Sequence, residues 1–154
     1  MNKTAGIITA KNAFVALLLL SGLFLAFLAP KAAVNVDEQL HYPHAKKVVN
    51  WYFTGGDDKS CLDTPVTNLK YYGQSVDNVT ALINRLFSFE NEFLVRHFTG
   101  ALFFWMLLLF SGLVARQVSG NYLVSVITVL SLLLMPRLFG HAFGNLKDIP
   151  FAAG

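Results

Sequence analysis

Asp37 and Glu38 are adjacent carboxylates that follow an uncharged apolar run, Ala13 to Ala29, by a few residues. A carboxylate can take the proton from an attacking hydroxyl, and a cation nearby can hold a phosphate by charge-assisted hydrogen bonds. Candidate cations lie far along the chain, in Arg137, His141 and Lys147, and a further acid, Asp148, follows them. Together these groups are the parts for moving a substituent from a lipid phosphate to a hydroxyl.

The elements that must position them are apolar. Of 154 residues, 55% are hydrophobic and 14% charged, with 14 Phe and a mean hydropathy of +0.51, which reads as a membrane protein rather than a small soluble domain. The fold class expected is all-α and integral to the membrane, with three transmembrane helices over 13–30, 97–115 and 122–139. Residues 1–12 form a cytoplasmic amino terminus, and 116–121 form a turn-rich cytoplasmic connector that closes a helical hairpin. Residues 31–96 form a long outer loop, and 140–154 an outer acidic loop that leads into the first turn of a fourth span at Ile149-Pro150. Proline suits a helix start because its missing donor is not needed there. That last run stops as it begins, as in a piece of a longer chain. Lys3, Lys11 and Arg116 place the amino terminus inside. Asp37-Glu38 and the Arg137–Asp148 stretch then share the outer face.

Two stretches of the outer loop have helical character, His44 to Phe53 and Val76 to Phe93. The second spaces Val79, Leu82, Ile83 and Leu86 as an amphipathic helix would on a membrane surface. Gly55-Gly56-Asp57-Asp58 lacks the alternating oxygen ligands of a calcium loop and reads as a turn. Scattered Lys and Arg form no stripe for nucleic acid, despite a net charge of +3 and a pI of about 9.1. The single cysteine, Cys61, excludes an intrachain disulfide.

Each residue also has a plainer reading. The acidic pair suits a solvated loop or a helix amino terminus. Lys147 and Asp148 can pair with each other or cap a helix, and Arg96 and Arg137 can anchor in headgroups. His41 and His44, three apart, could join a carboxylate around a metal, although Pro43 between them weakens a helical register. A cleaved signal peptide is the rival for the first span, whose 17 residues exceed the usual signal core of about 7–15.

The order of helix, Asp37-Glu38-Gln39-Leu40-His41-Tyr42-Pro43-His44, surface helix, Phe93-Leu94-Val95-Arg96, hairpin, Pro136-Arg137-Leu138-Phe139-Gly140-His141 and Asn145-Leu146-Lys147-Asp148-Ile149-Pro150 resembles glycosyltransferase family 39. That group holds the protein O-mannosyltransferases and aminoarabinose transferases, of the GT-C type. The resemblance covers the chain after about residue 15 and corresponds to the amino-terminal part of that multi-span fold. It implies inverting transfer of a sugar from a polyprenyl-phosphate carrier to an acceptor hydroxyl on a protein, lipid or glycan at the outer, periplasmic or extracellular face. In that scheme Asp37 is the general base and Glu38 tunes it, with burial of the pair raising one member's proton affinity. Asp148 is the second acid, while Lys147, Arg137, Arg96 and His141 face the donor phosphate. The lipid-linked sugar is a substrate, no nucleotide is needed, no cofactor is assigned, and a divalent metal stays open without support from these motifs. A basic-Pro-Pro motif found in some relatives is missing, so its donor contacts do not carry over.

The alternative function is a non-enzymatic small membrane protein whose outer loop binds a partner. A transporter fragment fits less well, because the three expected spans carry no ionisable residue at mid-depth.

Overall fold

The computed structural model describes residues 9–65 and 67–154, and Lys3 lies outside them. Every regular element among the described residues is helical: α1 (Ala10–Leu28), α2 (Val36–Phe53), α3 (Ser75–Phe87), α4 (Leu94–Ser119), α5 (Tyr122–Leu133), α6 (Pro136–His141) and α7 (Asp148–Ala153), with short tight turns at Ala29–Lys31 and Leu69–Tyr71. Two helical stretches, Ala10–Lys31 and Leu94–Ser119, are long and apolar enough to cross a membrane. At 1.5 Å per residue each exceeds the roughly 30 Å of a hydrocarbon core.

The third expected span is not one helix. α5 ends at Leu133 after 12 residues, and Met135 adopts an extended conformation (ψ 109°) ahead of Pro136, which begins α6. Proline disfavours the helical region for the residue before it, so the chain breaks there although its apolar composition continues. α5 alone covers about 18 Å.

α1, α4 and α5 pack around Phe14, Leu18, Leu25, Phe104, Leu108 and Val129. The close approach depends on small residues. A Cβ on Gly112 would fall 2.5 Å from the Phe14 ring, and one on Gly22 would fall 2.9 Å from Trp105, whose indole N–H donates to the Leu18 carbonyl at 2.9 Å. At the end of α4, Gly120 in the left-handed region (φ 71°) stops the helix, and Asn121 caps α5 by accepting from Leu123 N–H. The connector between these helices is therefore shorter than 116–121, because α4 runs on to Ser119.

Helix α2 begins eight residues before the expected His44. Asn35 and Glu38 form a capping box, with Glu38 N–H donating to Asn35 Oδ1 at 2.9 Å and Asn35 N–H donating to Glu38 Oε2 at 3.0 Å. That reciprocal pair starts the helix, which then continues through Pro43. α3 stops short of Phe93 because Ser88 takes a left-handed conformation (φ 51°). Gly55 and Gly56, both at positive φ, make the turn expected there, and Asp58 secures it by accepting from Asn50 Nδ2 and Ser60 N–H.

Helix α3 is turned over relative to an ordinary surface helix. Its polar residues Asp77, Thr80 and Asn84 are buried with Ala81, while Val79, Leu86 and Phe87 are exposed. The reason is electrostatic, since Asp77 is drawn inward to pair with Arg96 at the start of α4.

Candidate functional site

The carboxyl-terminal stretch folds back onto the start of α2 and the first turns of α4. Ala142, Asn145, Leu146 and Ile149 are buried against them. A Cβ on Gly100 would lie 2.5 Å from the Phe143 carbonyl oxygen, and one on Gly144 would meet Asn35 and come within 2.7 Å of Glu38 Oε2. The acidic cap of α2 and the loop near residue 144 are therefore in direct contact, despite their distance in sequence. Gly144→Ala should cost about 1–3 kcal/mol of stability through this overlap, read as a lower unfolding midpoint in detergent. An unchanged midpoint would show that the contact is loose.

Glu38, fully buried, is the hub. Its Oε1 accepts from Arg96 Nε at 3.5 Å and meets His97 Nε2 at 3.1 Å. Arg96, 1% exposed, also pairs through Nη1 with Asp77 and donates from Nη2 to the Gly144 carbonyl at 3.5 Å. His97 Nδ1 donates to the Ala29 carbonyl at 3.2 Å, so both of its ring nitrogens face oxygen and the Glu38–His97 contact holds a proton. One cluster thus ties the ends of α1 and α4 to α2, α3 and the carboxyl-terminal loop. Burial acts to raise the Glu38 carboxyl, but the His97 hydrogen bond, the Asn35 amide and the charges of His97 and Arg96 outweigh it and hold the group below its ordinary value. The expectation that burial of the pair would raise a proton affinity fails for Glu38, because its cavity supplies donors.

Asp37 is exposed. It lines an open cleft of about 290 Å³ with Asn35, Val36, Gly140 and His141. Two candidates from opposite ends of the sequence therefore face one space. Lys147 reaches the same helix one turn further on, where its Nζ donates to His41 Nε2 at 3.1 Å and sits 5.3 Å from the Tyr72 ring centre.

Behind His41 runs a polar chain that the sequence did not single out. Gln74 lies between His41 Nδ1 and His44 Nδ1, and His44 Nε2 donates to the Cys61 carbonyl at 3.0 Å. With charged Lys147 donating into His41, one proton arrangement satisfies every group. Gln74 Nε2 faces His41 Nδ1 at 2.5 Å and Gln74 Oε1 faces His44 Nδ1 at 2.9 Å; exchanging the O and N of this amide lets His41 Nδ1–H donate to the oxygen and the amide donate to His44 Nδ1. His41 and His44 thus share an amide. Among the described residues no group of three or more His, Cys, Asp or Glu could hold a metal ion.

Burial first, then the Lys147 charge, holds His41 below its ordinary 6.5, against an opposing pull from Asp37; Arg96 and His44 add to the depression. A histidine whose folded value is depressed contributes stability above the unfolded value and loses it as the pH falls below about 6.5. Acidification should therefore release Lys147 and raise hydrogen exchange in residues 142–149, after correction for the intrinsic pH effect. His41→Phe should abolish that response, and a persistent response would assign it to another group.

The remaining candidates are less closely gathered. Asp148 is exposed and receives a hydrogen bond from Asn145 Nδ2 at 2.8 Å, while Asn145 Oδ1 accepts from Asp148 N–H at 2.9 Å. Arg137 is exposed on α6 and makes no ion pair among the described residues. Arg96 is enclosed by protein oxygens rather than open to a ligand. Sequence reasoning passed over Asp77, His97 and Gln74, for which no local motif exists. It also passed over Asn35, although Asn-x-x-Glu ahead of a helix is a readable cap. Comparison with protein-family models, curated proteins and solved structures gives no match to this chain.

Proposed function

We propose that the chain is a multi-pass membrane glycosyltransferase element of the family 39 type, acting on a polyprenyl-phosphate-linked sugar at the outer face of the membrane. The observation that carries the reading is the convergence of Asp37 and His141 on one cleft, with Lys147 lodged against the next turn of α2. A base for the acceptor hydroxyl and cations for a departing phosphate are the two requirements of such a transfer. Asp37 serves as the base because it is the member of the acidic pair open to a substrate. Glu38 and Arg96 act as positioning residues, fixing the start of α2 against α4 so that Asp37 holds its place. Lys147 and His141 receive the lipid phosphate, and Asp148 and Arg137 border the entry.

Membrane placement is part of the proposal. Leu19, Leu20, Leu23, Leu102 and Val114 leave an exposed apolar surface along α1 and α4, which lipid or further helices would cover. The test is transfer by the membrane-embedded chain from a polyprenyl-phosphate sugar, read as release of the lipid phosphate. Failure to bind that donor would overturn the reading. In that event the outer loop as a partner-binding module is the function to pursue.

A further inference from the structure

The inverted helix α3 forms one wall of an open cleft of about 460 Å³ between α2 and the α3–α4 connection, on which Lys46, Asn84, Arg85, Ser88, Phe89 and Glu92 lie. It is distinct from the cleft at Asp37. Its chemistry is mixed in a specific way. Lys46 and Arg85 supply cationic donors, and Glu92 supplies an acceptor, paired across the rim with Lys46 at 2.7 Å. Asn84 lies buried in the wall beneath them, and left-handed Ser88 adds a hydroxyl.

The surroundings point to the ligand. Tyr52, Phe53, Val79, Leu86 and Phe87, from the end of α2 and the outer side of α3, leave an apolar surface on these two helices with 53–71% of each residue exposed. Arg85 sits at its edge, with the guanidinium 4.1 Å from the Phe53 ring centre. A basic residue bordering an apolar helix face is the arrangement that lies in a bilayer interface, with hydrocarbon against the apolar side and phosphate against the cation. Depth agrees with this. Asp77 of α3 pairs with Arg96, the third residue of α4, so this part of α3 lies beside the first turn of the longer helix.

We infer that the cleft between α2 and α3 binds a phospholipid headgroup, with Arg85 and Lys46 on the phosphodiester and Glu92 on a hydrogen-bond donor of the headgroup. The inference rests on the membrane placement proposed above. Ethanolamine and glycerol headgroups offer such a donor, whereas choline has no N–H or O–H to give. The headgroup opens the Lys46–Glu92 pair, which is half exposed and weak enough to exchange partners.

The experiment uses the full chain purified in mild detergent with a mixture of phosphatidylglycerol, phosphatidylethanolamine, phosphatidylcholine and an uncharged galactolipid. Lipid retention is read by native mass spectrometry, with circular dichroism to confirm folding. The expected result is retention of the first two lipids over the others, and loss of about tenfold or more in the Lys46→Gln, Arg85→Gln double variant, the scale of two cations facing a lipid phosphate. Both side chains are exposed, so the variant should fold. Equal retention by wild type and variant, equal retention of the galactolipid, or displacement by inorganic phosphate alone would overturn the headgroup site. Extraction of the wild-type chain from membranes by alkaline carbonate is a separate outcome, which removes the membrane placement itself.

Discussion

Replacing Arg96 by Met should destabilise the folded chain by about 3–5 kcal/mol at neutral pH, the range measured when one partner of a buried ion pair is removed. Arg96 is the cation for two carboxylates in one dry cluster, Glu38 and Asp77, both almost fully buried. Methionine fills much of the volume but returns no charge, so two buried acids from different helices lose their shared cation. Since whole domains are stable by only about 5–15 kcal/mol, the loss should be visible as a large fall in unfolding midpoint.

The pH dependence gives the prediction its sign. In the wild-type chain Glu38 is held below its ordinary 4.5, so its contribution is present above 4.5 and is lost as the pH falls through the folded value. In the Met variant the Arg96 charge is gone and burial acts on Glu38 with less opposition. The His97 hydrogen bond and the Asn35 amide remain and still hold the group down, so stability should still be lost as the pH falls through the folded value, over a narrower range than in the wild type. A second change, Asp77→Asn, should recover part of the loss in the variant while harming the wild type, a coupling that a double-mutant cycle isolates. Independent, additive effects of the two changes would mean that the Arg96–Asp77 pair carries little energy.

The second large effect concerns chemistry. If the proposed transfer is the chain's activity, Asp37→Asn should lower its rate by about 10²–10⁴-fold, the usual contribution of a positioned general base. The amide keeps the size and much of the hydrogen bonding of the carboxylate but cannot take the acceptor's proton. Because Asp37 is exposed and forms no part of the Glu38 cluster, folding, membrane extraction and donor binding should be unchanged. Glu38→Gln offers the contrast. It keeps the capping geometry, removes the charge that balances Arg96, and should lower stability and activity together. Full transfer activity in the Asp37→Asn chain would remove the proposed base, while a parallel loss of folding would make Asp37 structural.

Comparing expectation with structure shows which forces are local. Apolar runs without charge determined α1 and α4, because a long stretch that cannot be solvated must satisfy its backbone internally. Gly120 and Asn121 marked the turn into α5 for reasons of backbone geometry alone. The break before Pro136 was also written locally, in the restriction proline places on its neighbour, yet composition masked it because the apolar residues run on unchanged. Pro43 misled in the opposite direction. It argued against a helix, but the Asn35–Glu38 cap and the burial of Tyr42, Ala45 and Val49 carry α2 through it.

What the sequence by itself determined is therefore the helical composition, two helices long enough for a bilayer, and an acidic pair beyond the first of them. Only the tertiary structure decided which acid is open and which is enclosed. Asp37 and Glu38 are chemically alike and adjacent, but a helix turns about 100° per residue, so one points to the cleft and the other to Arg96 and His97. Likewise, no local pattern could direct Arg96 to Asp77 rather than to a lipid, or turn the polar side of α3 inward. Those outcomes depend on charges brought together from distant segments, where removal from water makes each pairing decisive.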